Sequence, residues 1–140
     1  MHEGEVAISD ATVRRLVDRQ FPEWASRPLT RLPPYGTDNQ LFRLGKDLLV
    51  RMPRIDWAAS APEWEHTWLP RLAPHVSTPI PSPVALGQPA EGYPWHWTVV
   101  PWFDGETPTA ETFDPEEWAV SLGGFVRELR GAPAMGAPVT

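Results

Sequence analysis

Between Leu29 and Met52 the chain reads as three short strand segments with almost nothing between them, which limits the folds open to it. Leu29–Leu32 is closed by Pro33-Pro34, Asn39–Leu44 forms a second extended segment, and Leu48–Met52 a third. Only Gly45-Lys46-Asp47 separates the last two, a loop whose Gly and Asp suit the tight backbone of a hairpin. Strands linked this closely run antiparallel, because a parallel pair needs a crossover of a dozen or more residues. Strand alternation then puts Leu49 and Arg51 on one face of the third segment and Leu48, Val50 and Met52 on the other.

Helices are expected on either side of this sheet. Ser9 or Asp10 can cap a first helix, with Val13, Leu16, Val17 and Phe21 at helical spacing and Pro22 limiting it. Its charged residues Arg14, Arg15, Asp18 and Arg19 read as a solvated face. Ser60-Ala61-Pro62-Glu63 fits a capping box that opens a second helix. This helix carries Ala61, Trp64, Glu65, Trp68, Leu69 and Leu72 on one stripe, and Pro70 is expected to kink or end it. A proline-rich connection (Pro74, Pro79, Pro81, Pro83) leads to two more strands, Val84–Leu86 and Trp95–Val100. Pro101–Gly105 reads as a pivot. Asp114 then caps a last helix with the stripe Trp118, Leu122, Phe125, Val126 and Leu129, and the Gly, Ala and Pro-rich tail 131–140 is expected to be poorly ordered. The order is helix, three strands, helix, two strands, hinge, helix: an α+β chain.

Composition excludes several functions. A net charge of −6 disfavours nucleic acid and anionic membrane as partners, since attraction to phosphate needs a basic face. The absence of cysteine removes disulfides, thiolate metal sites and cysteine nucleophiles. His2, His66, His75 and His96 show no metal-ligand spacing, the acidic N-terminus is no signal peptide, and no apolar run approaches the ~20 residues that span a bilayer. A cytoplasmic protein is expected.

Three features carry candidate chemistry. Arg51 lies within an otherwise apolar strand and Glu65 within an apolar helix stripe, each facing a desolvation penalty unless paired or partly wet. If the helix packs on the sheet, one contact between them satisfies both; otherwise Arg51 reaches the rim and Glu65 pairs with Arg71 or His66. Gly36-Thr37-Asp38-Asn39 can lay backbone N–H groups over anionic oxygens, although a simple hairpin turn explains the same residues. Thr98–Phe103 is an apolar strand running into an extended segment. It offers either an adenine edge or an aromatic anchor, and Pro101 removes one N–H donor.

Together, GTDNQLFRLGKDLLVRMPR (36–54), EHTWLPRLAPHVSTPIPSPVALGQP (65–89) and GYPWHWTVVPWFDGE (92–106) resemble the aminoglycoside phosphotransferase (choline/aminoglycoside kinase-like) family. A weaker likeness covers Ala119 to Pro138. The resemblance implies a protein-kinase-like N-lobe, a five-stranded antiparallel sheet with a packed helix, followed by a hinge and one C-lobe helix. Residues 1–28 would form an N-terminal helix, 29–103 the nucleotide-binding lobe, and 104–140 the hinge, first C-lobe helix and tail. It further implies a nucleotide site in which Gly36, Thr37, Asp38 and Asn39 cover the nucleotide. Arg51 would take the strand-cation place usual for lysine, Glu65 would hold it, and Leu49, Val100, Trp102 and Phe103 would line the base pocket. The family uses ATP or GTP with Mg²⁺ to phosphorylate a hydroxyl.

Two departures shape the expectation. Guanidinium is planar and bidentate where lysine is a point charge, leaving ATP and GTP both open. Phosphoryl transfer also needs an Asp base and an Asn and Asp for metal. Asn39 is the sole Asn, Asp114 the sole Asp after Asp104, and no His-x-Asp tripeptide occurs. The chain is thus expected to lack catalytic and metal residues, to bind nucleotide weakly or not at all, and to be inactive alone, as a lobe truncated before its catalytic loop. Its partner would be a missing C-terminal lobe. The competing expectations are a non-catalytic module that binds a protein through an exposed last helix, and a small domain whose Arg51–Glu65 pair is purely structural.

Overall fold

The computed structural model describes residues 4–134, 136 and 137. Five strands, β1 (Leu29–Arg31), β2 (Asn39–Leu44), β3 (Leu48–Pro53), β4 (Ala85–Gly87) and β5 (Trp97–Pro101), form one sheet in the order β1-β2-β3-β5-β4. Every neighbouring pair is antiparallel. The tight hairpin loop sets the β2–β3 register, with Leu44 opposite Leu48 and Leu41 opposite Arg51. The strands differ from the sequence expectation only at their ends. β4 begins at Ala85 and β5 at Trp97, while the Leu32 N–H still donates to the Leu41 carbonyl (2.9 Å) beyond β1.

The two faces of the sheet are chemically distinct. Phe42, Leu44, Val50, Met52, Trp97 and Val99 point to one side and are fully buried there against Val13, Leu16 and Val17 of α1 (Asp10–Gln20). Ser9 caps α1 by accepting from the Thr12 N–H (3.1 Å). The charged side of this helix is not simply solvated, contrary to expectation. Arg14 Nε donates to Asp18 (2.7 Å) and its Nη1 to the Arg27 carbonyl (2.7 Å), while Arg15 and Arg19 both engage Glu91 in the β4–β5 connection. Glu91 has φ +56°, a left-handed conformation that L side chains rarely adopt, and these two ion pairs hold it in place. In the same connection Tyr93 is buried and donates its hydroxyl to the Pro53 carbonyl (2.8 Å); burial pushes that hydroxyl above the usual phenol range.

The opposite face carries Asn39, Leu41, Arg43, Leu49 and Arg51, all only partly buried, and meets α2 (Ala61–Leu72). The capping box expected for α2 is corrected. Ser60 sits in a helical conformation (φ −84°, ψ −16°), so its side chain points away from the first-turn amides and no capping box forms. The helix continues past Pro70 and ends two residues on, at Leu72, the lost donor falling in its last turn. Nor is the aromatic stripe sealed: Pro62 is the residue buried on α2, whereas Trp64 is 50% exposed.

After β5 the chain carries no regular element until α3 (Pro115–Gly131), capped by Asp114, which accepts from the Glu116 and Glu117 N–H groups (2.9 and 3.3 Å). No residue of α3 is buried. Its expected apolar stripe is divided: Phe125 and Leu129 are partly buried, whereas Trp118 is 49% and Leu122 60% exposed. In the tail, the Ala137 N–H donates to Ala134 (2.8 Å), while residues 135 and 138–140 lie outside the described residues.

A carboxylate fastens α3 to the rest of the protein. Glu128 accepts from both the N–H and the hydroxyl of Ser77 (2.7 Å each), and these bonds hold its carboxyl below the ordinary glutamate value of 4.5. A depressed carboxyl stabilises the docked helix fully above that ordinary value and loses its contribution as pH falls through the lowered one. Amide exchange along α3 is thus expected to speed up on acidification through this window. In Glu128→Gln it is expected to be faster at neutral pH and flat across the same window.

Candidate functional site

Arg51 projects from the middle of β3 toward α2, and Glu65, one turn into that helix, reaches back. Arg51 Nη1 donates to Glu65 Oε2 at 2.7 Å and Nη2 to Oε1 at 3.5 Å. Their side chains are 24% and 22% exposed, so both are largely withdrawn from water but neither is sealed off from it. Neither Arg71 nor His66 takes Glu65: Arg71 lies over the Trp68 ring instead (4.9 Å).

Beside this pair lies a cleft of about 340 Å³, lined by Leu49, Arg51, Pro81, Val100, Pro101, Trp102 and Phe103. Strand register explains the gathering. Leu49 stands opposite Val100 and Arg51 opposite Thr98, so alternate residues of β3 and β5 rise on the same side. One end of the cleft carries the Arg51 cation and the other the apolar and aromatic residues that follow β5. Its volume falls at the small end of the range for organic ligand sites.

The backbone after β5 has a defined polarity. Trp102 N–H donates to the Asp47 carbonyl (2.8 Å), extending the β3–β5 ladder past Pro101. Hydrogen-bonding direction alternates along a strand, so Pro101 and Phe103 turn their backbone groups to the other edge. The Pro101 carbonyl and the Phe103 N–H are therefore the backbone groups directed away from β3, while Val100 and Trp102 are committed to it.

Five of the sequence-designated residues, Leu49, Arg51, Val100, Trp102 and Phe103, thus share one cleft, and Glu65 joins them through Arg51. Gly36, Thr37, Asp38 and Asn39 do not line it. Gly36 and Thr37 are exposed in the β1–β2 connection, Asp38 is partly buried and Asn39 opens β2; Gly36 takes φ +80°, Thr37 donates to Asp38 (2.8 Å), and the Asp38 carbonyl accepts from the Arg54 N–H (2.7 Å). Sequence reasoning missed Pro81, hidden in a segment that reads as a linker. It also passed over Arg43, which strand alternation places on the cleft face with Leu41. Among the described residues no three His, Asp or Glu side chains gather in a metal-holding arrangement. The described residues therefore do not by themselves fit a Mg²⁺ site.

Comparison with known proteins bears on what such a lobe belongs to. A sequence profile described as the phosphotransferase enzyme family matches residues 29–140. The chain belongs to that family. Among solved structures, the GDP complex of wild-type aminoglycoside 2'-phosphotransferase-IIIa superposes with a TM-score of 0.80 at 22% identity, over 95% of this chain and 47% of that one. The streptomycin–ATP–APH(2")-IIa ternary complex superposes with a TM-score of 0.58 at 20% identity, over 89% of this chain and 40% of that one. The fold is accordingly the kinase-like N-lobe of aminoglycoside phosphotransferases, and the chain spans less than half the length of these structures. No curated protein matches the chain. Among the described residues no helix is long and apolar enough to cross a membrane.

Proposed function

We propose that this chain is the nucleotide-binding lobe of a kinase-like phosphotransferase and takes a nucleoside triphosphate, ATP or GTP, in the cleft between Arg51 and Phe103. The Arg51–Glu65 pair carries the reading. A guanidinium held by a helix carboxylate, partly exposed and lining an apolar cleft, is preorganised for phosphate oxygens. The base would lie against Leu49, Val100 and Trp102, its edge facing the Pro101 carbonyl and the Phe103 N–H. The Gly36–Asn39 turn lies outside the cleft and would have to fold down to cover a nucleotide. Structural relatives captured with GDP and with ATP support this choice of ligand.

Transfer to a hydroxyl requires an Asp base and metal-holding Asp and Asn residues, which residues 104–140 do not supply. Nucleotide binding is the part of such a reaction that the cleft of residues 49–103 would supply. Thermal unfolding with Mg-ATP and Mg-GTP tests the binding. A ligand bound only by the folded state raises stability by about 2.7 kcal/mol at a hundredfold excess over Kd, a rise of roughly 8–10 °C for a domain of this size. No shift with either nucleotide at millimolar concentration would reject the reading.

The outward face of α3 favours a second reading, a module that binds a protein partner. Trp118, Leu122 and Val126 are all exposed, and aromatic residues of this kind are enriched at interfaces. Sedimentation of the chain alone and with a second-lobe protein tests it; a stable monomer in both cases would remove it.

A further inference from the structure

Arg43 is half-buried on the cleft face of β2, yet it does not line the cleft. Its Cζ lies 4.3 Å from the centroid of the Trp102 ring, and its Nη2 donates to the Lys46 carbonyl in the β2–β3 hairpin (3.0 Å). Its Nε is buried without a hydrogen-bond partner, a cost that solvent exposure of the side chain would remove. The same hairpin takes the Trp102 backbone, through the Asp47 carbonyl, and Trp102 Nε1 donates to Asp104 (3.0 Å). Asp47 is in turn paired with Arg27, and the Gly45 N–H donates to the Pro28 carbonyl (2.8 Å), so the hairpin is tied to the segment before β1. A long cation held over an aromatic ring, with one donor left unsatisfied, is a costly way to fill space. It does, however, restrain that ring from one face.

We infer that Arg43 is a positioning residue for the cleft, clamping the Trp102 ring and with it the Pro101–Phe103 segment whose backbone faces the base. The inference rests on the nucleotide-binding reading, since Trp102 is the wall shared by the clamp and the cleft. Stacking holds the ring while the Lys46 and Asp47 carbonyls hold the guanidinium and the Trp102 N–H. The wall is therefore set before any ligand enters. Lysine cannot replace this arginine, because an ammonium has no plane to lay on the indole.

A double-mutant cycle on the full chain tests the inference, titrating Mg-ATP and Mg-GTP into Arg43→Ala, Arg43→Lys, Trp102→Ala and the Arg43→Ala/Trp102→Ala pair. Each single variant is expected to weaken binding about 3–10-fold, lysine no better than alanine, and the pair no weaker than Trp102→Ala alone. Additive losses, or full binding by Arg43→Lys, would overturn the inference. Amide exchange gives an independent readout. In both Arg43 variants the Trp102 amide is expected to exchange at least about fivefold faster, with Val13 and Leu16 unchanged. Unchanged exchange at Trp102 defeats the clamp even where nucleotide binds. Failure of the unaltered chain to bind either nucleotide defeats the proposed function, and exchange at Trp102 then decides the clamp alone.

Discussion

Gly87→Ala is expected to destabilise the protein by about 3 kcal/mol or more, at the upper end of what overpacking a core costs. Gly87 stands opposite Trp97 in the β4–β5 register, and the indole folds across the space a side chain would take. A Cβ built at Gly87 would lie 1.9 Å from Trp97 Cε2 and 2.3 Å from Cδ2. These are ring atoms of a fully buried side chain, not the far end of a flexible one. The indole has little room to retreat, being packed edge-on against Phe21 (5.6 Å between centroids) with Nε1 donating to the Gln88 carbonyl (3.2 Å). Space alone demands glycine here, since its φ is not in the left-handed region. In thermal unfolding the variant should melt roughly 10 °C lower. Adding Trp97→Leu to it should cost less than the two separate losses combined, because the smaller side chain relieves the clash. A melting point within about 2 °C of the unaltered protein would show that the indole does not occupy this place.

Arg51→Ala should abolish the nucleotide-dependent rise in melting temperature, weakening Mg-ATP or Mg-GTP at least about tenfold, the loss expected for a charge-assisted contact. It also strands Glu65 on a half-dry helix face. Removing one partner costs little for an exposed pair and about 3–5 kcal/mol for a buried one, so a pair 24% and 22% exposed should lose about 1–2 kcal/mol. Two variants separate the roles. Arg51→Met with Glu65→Leu should restore the stability, since apolar residues of similar volume replace such pairs well, but not nucleotide binding. Arg51→Lys should keep part of the binding through its point charge. Calorimetric titration together with thermal unfolding reads both quantities. Binding of unaltered strength in Arg51→Ala would mean that the ion pair serves the fold only.

Several sites where the sequence reading went astray share one cause, which is that local pattern does not say what a face meets. Ser60 and Glu63 have the spacing of a capping box, but the chain enters α2 already helical, so the serine oxygen is turned away. Arg15 and Arg19 look like solvent-facing charges until the β4–β5 connection brings Glu91, more than seventy positions distant, beside them. Arg43 carries no signal of its own because its meaning depends on Trp102, placed across β3 by strand order. The Gly36–Asn39 segment has the composition for holding phosphate, and whether it covers a nucleotide depends on how it moves relative to the cleft, which local pattern does not encode.

Period and punctuation along the chain were sufficient to set the antiparallel hairpin, the two faces of β3, the apolar stripe of α1 and the cap of α3, because each depends on neighbours within a few residues. They also posed the question of Arg51 and Glu65, since a charge in an apolar pattern must be answered by something. The answer needed three dimensions. Insertion of β5 beside β3, with β4 outermost, brings Val100 and Trp102 level with Leu49, and α2 crossing that face brings its carboxylate to the guanidinium. Such contacts join residues far apart in sequence, and only burial of the sheet's other face against α1 decides which side is left to form a cleft.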